Sequence, residues 1–213
     1  MKIAIIGAGG QARIVYEILS YDRNMEVAAF VDNVPRSGKE TIKGIPIVGD
    51  HSVLPELIKN GVRGAIVAVS MNDIRKAHFE KLRAMGLELI NAVHPTASIA
   101  PTVKLGSGVT IAIGAIISTG VNIANNVIIN TGAIVDHENQ IEDHVHISSG
   151  CSLAGRVSVR KSALVGIGSV VRENVTIGEN VIIGAGSVVL ENIPDNVTAS
   201  GTPARIVERR PQS

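Results

Sequence analysis

The chain has almost no aromatic side chains: two phenylalanines, two tyrosines and no tryptophan among 213 residues. That excludes a core built on aromatic bulk and leaves no platform for stacking nucleic-acid bases. Cysteine is nearly absent too. Cys151 stands alone, so no disulfide framework closes within the chain and no CxxC motif exists for metal or redox work. Neither sign of charge dominates: the net charge is +1, which gives no acidic tail and no electrostatic footprint for nucleic acid. No apolar run approaches the ~18 residues of a membrane-spanning helix. The opening run Met1-Lys2-Ile3-Ala4-Ile5-Ile6-Gly7 is too short for a signal peptide and lacks its flanks. The expectation is a cytoplasmic protein with no membrane span and no nucleic-acid partner.

What is present is aliphatic. Apolar residues make up 45% of the chain, and a core of Val, Ile, Ala and Gly suits thin, repeated layers. Two grammars divide the chain at about residue 95. In 1–95, strand and helix signals alternate: strands at 2–6, 26–31, 64–69 and 87–91, helices at 11–21, 52–60 and 72–85. Residues 34–49, with Pro35, Gly38, Gly44, Pro46 and Gly49, read as a loop carrying one short strand. Such alternation predicts a small parallel sheet with helices on its faces, an α/β unit.

Residues 96–213 follow a period of six. Stepping from Ile99 gives Leu105, Ile111, Ile117, Ile123, Ile129, Val135, Ile141, Ile147, Leu153, Val159, Val165, Val171, Ile177, Ile183 and Val189. All sixteen are Ile, Leu or Val. The fifth residue of each hexad is mostly Val, Ala, Ser or Cys, with Asn139 the conspicuous exception. The second is often small, as at Gly106, Ala112, Ala124, Gly166, Gly178 and Gly184. A period of six scatters its members around a 3.6-residue helix, so helix is excluded. A short flat strand plus a turn fits six residues, and three such sides close a triangular coil of about 18. An all-β solenoid follows; a bare spacer is the plain alternative.

Two groups of residues carry candidate chemistry. Gly7-x-Gly9-x-x-Ala12 lies between a strand and a helix, with Asp32 twenty residues past Ala12. Backbone amides at such a helix start approach a pyrophosphate. Read alone, the motif suggests NAD, but a UDP- or GDP-sugar carries a pyrophosphate too. The unit is half the usual dinucleotide fold and no hydride chemistry is visible, so Gly7, Gly9, Gly10 and Gln11 are assigned to a nucleotide-sugar diphosphate and Asp32 to its base or ribose. Ser70 and Asn72, at the end of the next strand, line the same crevice in this reading. The second group is His137, His144 and His146. His137 takes the third place of its hexad, an outward turn position, and Glu138 beside it can orient its imidazole. Ser148 and Ser149 lack any nucleophile elbow, and Cys151 falls at an inward place that suits a core thiol. His51 and His78 are read as surface residues on helix starts or faces.

The unbroken [LIV]-[GAN]-x-x-[VAS]-x pattern resembles the hexapeptide repeat of left-handed parallel β-helix acyltransferases. Left-handedness rests on the resemblance alone, since the general crossover rule gives right-handed coils. A Rossmann-like unit followed directly by hexads is similar to sugar acyltransferases of the sialic acid O-acetyltransferase and UDP-4-amino-sugar N-acetyltransferase type. The segments carrying the likeness are GAGG at 7–10, VDN at 31–33, HPTA at 94–97, DHE at 136–138 and GTPAR at 201–205.

The resemblance implies that His137 is the general base and Glu138 its partner. It implies that His146 contacts the acetyl group or CoA, that Asn130 lies near the sugar, and that the Gly155 amide stabilises the oxyanion. Acetyl-CoA, the co-substrate, then lies in a groove beside Gly166, Gly168, Gly184 and Ala185, with Arg205 toward a CoA phosphate. It also implies a homotrimer with active sites between subunits and no metal. Relatives usually carry His where this chain has Gln11, which leaves the sugar and the choice of UDP or GDP open. The leading expectation is N-acetylation of a nucleotide-linked 4-amino-6-deoxy sugar. O-acetylation of sialic acid or another sugar hydroxyl is the near alternative. A γ-type carbonic anhydrase, which needs three converging imidazoles on zinc, and a non-catalytic nucleotide-sugar binder are more distant.

Overall fold

The computed structural model describes residues 1–32 and 40–210; Asn33 of the VDN segment and Pro35 and Gly38 of the loop lie outside the described residues. The chain forms two compact units, Met1–Val93 and His94–Ser213.

In the first unit, β1 (Lys2–Ile6), β2 (Glu26–Val31), β3 (Thr41–Ile42), β4 (Ile45–Val48), β5 (Val62–Val67) and β6 (Glu88–Leu89) form one sheet in the order β3-β4-β2-β1-β5-β6. Only the β3–β4 hairpin is antiparallel, so the loop expected at 34–49 holds two short strands rather than one. Period-two alternation gives the central strand two buried faces. Ile3 and Ile5 pack with Ala12, Val15, Ile18 and Leu19 of α1 (Gly10–Ser20). Ala4 and Ile6 pack with Leu54 of α2 (Leu54–Lys59) and with Phe79 and Leu82 of α3 (Asn72–Ala84). The strand expected at 64–69 begins and ends two residues earlier, because parallel pairing with β1 runs from Lys2–Val62 to Ile6–Val67.

The second unit is a parallel β-solenoid. Sixteen two-residue strands run from Ser98–Ile99 to Val188–Val189, and the second residue of each is one of the sixteen hexad members. Cα partners are eighteen residues apart throughout. Ile99 sits over Ile117, Val135, Leu153, Val171 and Val189. Leu105 starts a second sheet through Ile123, Ile141, Val159 and Ile177. Ile111 starts a third through Ile129, Ile147, Val165 and Ile183. Their side chains and those of the fifth hexad places fill one continuous core. Leu105 alone of the series is 36% exposed, since the first coil of a stack has a coil on one side only. Past Val189, Val197–Gly201 joins the Ile111 sheet in parallel and Ala204–Arg209 folds back against it.

The corners impose a second rule. From Gly108 to Gly186 the fourth place of each hexad adopts a left-handed backbone, with φ between 54° and 72°. Glycine and asparagine enter that region most easily. They hold these places except at Glu138, His144, Arg156 and Ser162. Outward faces differ as well: the Ile99 sheet shows Ile116 (46% exposed), Ile134 (41%) and Val170 (47%), whereas the Leu105 sheet shows Lys104 and Gln140.

Ile147→Ala removes a fully buried inward side chain and is expected to cost about 2–5 kcal/mol in chemical denaturation. Lys104→Ala, on an exposed outward place, should change stability by no more than ~0.5 kcal/mol.

Candidate active site

The carboxyl ends of β1, β2 and β5 open into a crevice of about 350 Å³. Gly7, Gly9, Gly10, Gln11, Asp32 and Ser70 line it, as read from the sequence. Gly7 has φ +106°, and a Cβ there would lie 2.8 Å from the Ala68 carbonyl oxygen, so packing demands glycine. Among the described residues, nothing stands within 4 Å of a Cβ at Gly9 or Gly10, so no clash there requires glycine. Helix α1 has no side-chain N-cap and no acidic residue in its first turn. Its first amides and its dipole therefore face the crevice uncompensated, as an anion site requires. The Gln11 amide nitrogen is buried without a hydrogen-bond partner among the described residues. Asn72 is not among the lining residues; its carboxamide oxygen accepts from the Arg75 guanidinium at 2.8 Å.

Two features here escaped the sequence reading. Arg75 is 1% exposed and donates to the carbonyls of Val69 (3.3 Å) and Ser70 (3.1 Å), pinning the loop that floors the crevice. Burial lowers its guanidinium to about 9, so it stays cationic at neutral pH. The second correction concerns His51 and His78. His51 is buried, not on the surface, and its ring stacks on that of His78, with centroids 4.5 Å apart and planes 12° from parallel. His78 also lines the crevice. Reading each helix alone misses a contact between two of them. Burial, then the cations His78 and Lys81, push His51 down to about 4. His78 is lowered by burial first and Lys81 second, with Asp32 opposing.

On the solenoid, His137 and Glu138 occupy the corner between the Ile99 and Leu105 sheets. The His137 Nδ1 lies 3.2 Å from Glu138 Oε2. A carboxylate only accepts, so Nδ1 carries the proton and the Nε2 lone pair is left free. Glu138 is held in turn by Arg156 at 3.5 Å, whose Nε donates to Asn174 Oδ1 at 2.8 Å. Glu138 takes the left-handed place with φ 60°, a strained choice for glutamate that points to a task other than folding. One coil on, Gly155 lies under the imidazole: a Cβ there would come within 2.4 Å of His137 Cε1 and Nε2. Gly155 is a seat for the ring.

The other candidates lie elsewhere on the coil. Asn130, Gly166, Gly168, Gly184 and Ala185 occupy the corner between the Ile111 and Ile99 sheets, the opposite margin of the Ile99 sheet from His137. Gly166 and Gly184 allow close stacking: a Cβ would meet the Ile183 carbonyl oxygen at 2.5 Å and the Ser200 hydroxyl at 2.5 Å, respectively. Gly168 meets nothing and serves the left-handed turn. His146, buried on the Ile111 sheet, has Nε2 at 3.5 Å from Asn130 Nδ2. Ala185 and Arg205 are exposed. His144 is a corner residue, its Nδ1 2.8 Å from Asn126 Nδ2 one coil back. Cys151 is a core thiol raised by burial, as expected. Among the described residues, no three His, Cys, Asp or Glu converge as a metal-holding group, and no helix is long and apolar enough to cross a membrane.

Comparison with known proteins places this geometry. Residues 2–82 match the family model of the PglD N-terminal domain, and residues 156–191 that of the bacterial transferase hexapeptide (six repeats). A variant of perosamine N-acetyltransferase from Caulobacter crescentus, solved in complex with CoA and GDP-perosamine, is 40% identical. The match covers 97% of this chain and 96% of that one, with a TM-score of 0.92. This chain belongs to the hexapeptide-repeat sugar N-acetyltransferases. Its solenoid is the left-handed parallel β-helix of that family. The acetyltransferase domain of PglB from Neisseria gonorrhoeae FA1090, solved with acetyl coenzyme A, is 32% identical over 97% of this chain and 98% of its own, with a TM-score of 0.89. UDP-N-acetylbacillosamine N-acetyltransferase of Bacillus subtilis (strain 168) is 37% identical over 115 residues. That stretch spans about half of either chain, 52% of this one and 50% of the relative.

Two outcomes follow for this family member. Gly155→Ala should fold, because the atoms it meets belong to a side chain that can swing away, but it displaces the imidazole. Acetyl-transfer turnover is expected to fall about 10²-fold with an unchanged melting profile. The stacked histidines set a pH dependence. Unfolded, His51 titrates near 6.5, whereas folded it refuses a proton down to about 4. Below 6.5 the unfolded chain binds protons that the folded chain excludes, so stability falls as pH drops from about 6.5 to about 4 and then levels off. Thermal midpoints across that range should fall less steeply in His51→Phe than in the parent.

Proposed function

We propose that this chain transfers the acetyl group of acetyl-CoA to the amine of a UDP- or GDP-linked 4-amino-6-deoxy sugar. The observation that carries the reading is the His137 imidazole, seated on Gly155 with Nδ1 on Glu138 and Nε2 free. Supporting it are the CoA and GDP-perosamine bound to the Caulobacter relative and the acetyl coenzyme A bound to the Neisseria one.

In this reading the crevice at Gly7–Gln11 takes the nucleotide diphosphate on the amides of α1, with Asp32 toward the ribose or base. At the solenoid the sugar amine attacks the thioester carbonyl. A C–N bond forms, His137 Nε2 takes the amine proton, and the Gly155 amide faces the oxyanion. The C–S bond then breaks, and the proton passes from His137 to the departing CoA thiolate. Glu138 stabilises the imidazolium meanwhile, and direct transfer needs no metal.

Completion of the site calls for more than one copy of the chain. His137 and the glycine corner of Gly166, Gly168, Gly184 and Ala185 stand on opposite margins of one sheet. A groove using both draws them from neighbouring solenoids, where His146, Asn130 and Arg205 join the CoA side. The apolar row Ile116, Ile134 and Val170 between those margins supplies the surface that three copies bury around a three-fold axis. We place the enzyme as a homotrimer in the cytoplasm, where nucleotide sugars and acetyl-CoA are made.

The test is CoA thiol release from acetyl-CoA across UDP- and GDP-linked 4-amino-6-deoxy sugars, with mass spectrometry of the product. One acceptor should gain an acetyl group in place of a hydrogen, and His137→Ala should lower turnover by about 10²–10⁴-fold while leaving nucleotide-sugar binding intact. Turnover only with a sugar hydroxyl would move the assignment to O-acetylation.

A further inference from the structure

The solenoid core breaks its own rule directly beneath His137. The fifth place of each hexad points inward and is aliphatic at Val121, Val145, Val157 and Val175. At residue 139 it is an asparagine with no exposed surface. The Asn139 Nδ2 donates to the Asp136 carbonyl at 2.6 Å and to the Ala154 carbonyl at 2.9 Å. Its Oδ1 is buried with no hydrogen-bond partner. A valine would carry no such penalty, so folding alone does not call for this side chain.

The two acceptors explain its place. Asp136 directly precedes His137 and Ala154 directly precedes Gly155. One carboxamide therefore ties the turn that holds the imidazole to the turn on which it rests, one coil on. The tie runs from inside the core and the seat lies outside. The same step of fifteen residues recurs on another corner, where Cys151 Sγ donates to the Gly166 carbonyl at 3.1 Å and Ser169 Oγ to the Gly184 carbonyl at 3.1 Å. At these three fifth places a buried donor clamps one corner to the next coil. It is used under the His137 corner and along the corner of Gly166 and Gly184.

We propose that Asn139 is a positioning residue for acetyl transfer, fixing the spacing between the Asp136–Glu138 turn and the Ala154–Gly155 turn so that His137 Nε2 keeps its bearing. The proposal rests on the reading of His137 as the base. Asn139→Val restores the aliphatic pattern, Asn139→Cys keeps a donor of the Cys151 kind, and His137→Ala serves as the control. Each is assayed by CoA release with both KM values, and Asn139→Val and the parent are compared by the ¹³C titration of histidine labelled at Cε1.

Asn139→Val is expected to remain folded, to keep both KM values within about twofold, and to lose about tenfold or more in kcat. Its His137 titration midpoint should shift, and Asn139→Cys should recover most of the turnover. Parental kcat in Asn139→Val, or equal losses in the valine and cysteine variants, would overturn the proposal. Full activity in His137→Ala would remove the base assignment instead. The titration then still decides Asn139, because an unmoved His137 midpoint in Asn139→Val means that it positions nothing.

Discussion

The eighteen-residue register governs this enzyme. Each inward Ile, Leu or Val must lie over its counterpart one coil away, and each corner must turn in the same six residues. Parallel strands only two residues long have little stability alone. They persist because the backbone bonds and the inward aliphatic side chains repeat from coil to coil along the stack. Once register is set, the corner places still require a left-handed backbone but dictate no particular side chain. A glutamate, a histidine, an arginine and a serine stand where glycine or asparagine would serve the turn more easily.

The His137 corner shows what register provides. His137 and Gly155 are eighteen residues apart and therefore neighbours. The absence of one Cβ makes room for an imidazole, and the adjacent carboxylate selects its tautomer. The coils above and below hold this geometry through their shared register, and Asn139 ties the two turns from within the core. The cost appears locally, in the left-handed backbone of Glu138 and the unpaired oxygen of Asn139.

The crevice of the first unit is built by another route. Its sheet ends align three strands, and an uncapped helix start is left facing the gap between them. Arg75, buried on α3, fixes the floor by holding backbone carbonyls rather than by meeting a ligand. His78 adds one imidazole to the wall, and the buried His51 ring stacks on it. The first of these contacts is short in sequence and the second joins two helices.

The hexads from Ile99 to Val189 made the solenoid legible to the residue, since period six with inward Ile, Leu and Val admits no helix and closes in threes. The glycine-rich turn after β1 and the outward place of His137 were equally plain, because each follows from local backbone need. Handedness was not in the pattern; it came by resemblance. The burial of His51 was hidden because it arises where two helices meet, and the pinning of the loop by Arg75 because its side chain turns back onto the carbonyls just before its own helix. So was the service of Asn72 to Arg75 instead of the crevice. Sequence alone determined the repeat, the two grammars, the glycine-rich turn after β1 and the outward place of His137. Only the tertiary structure decided which residues face one another. Periodicity reports where a side chain points along its own element, and contact depends on what another element brings to meet it.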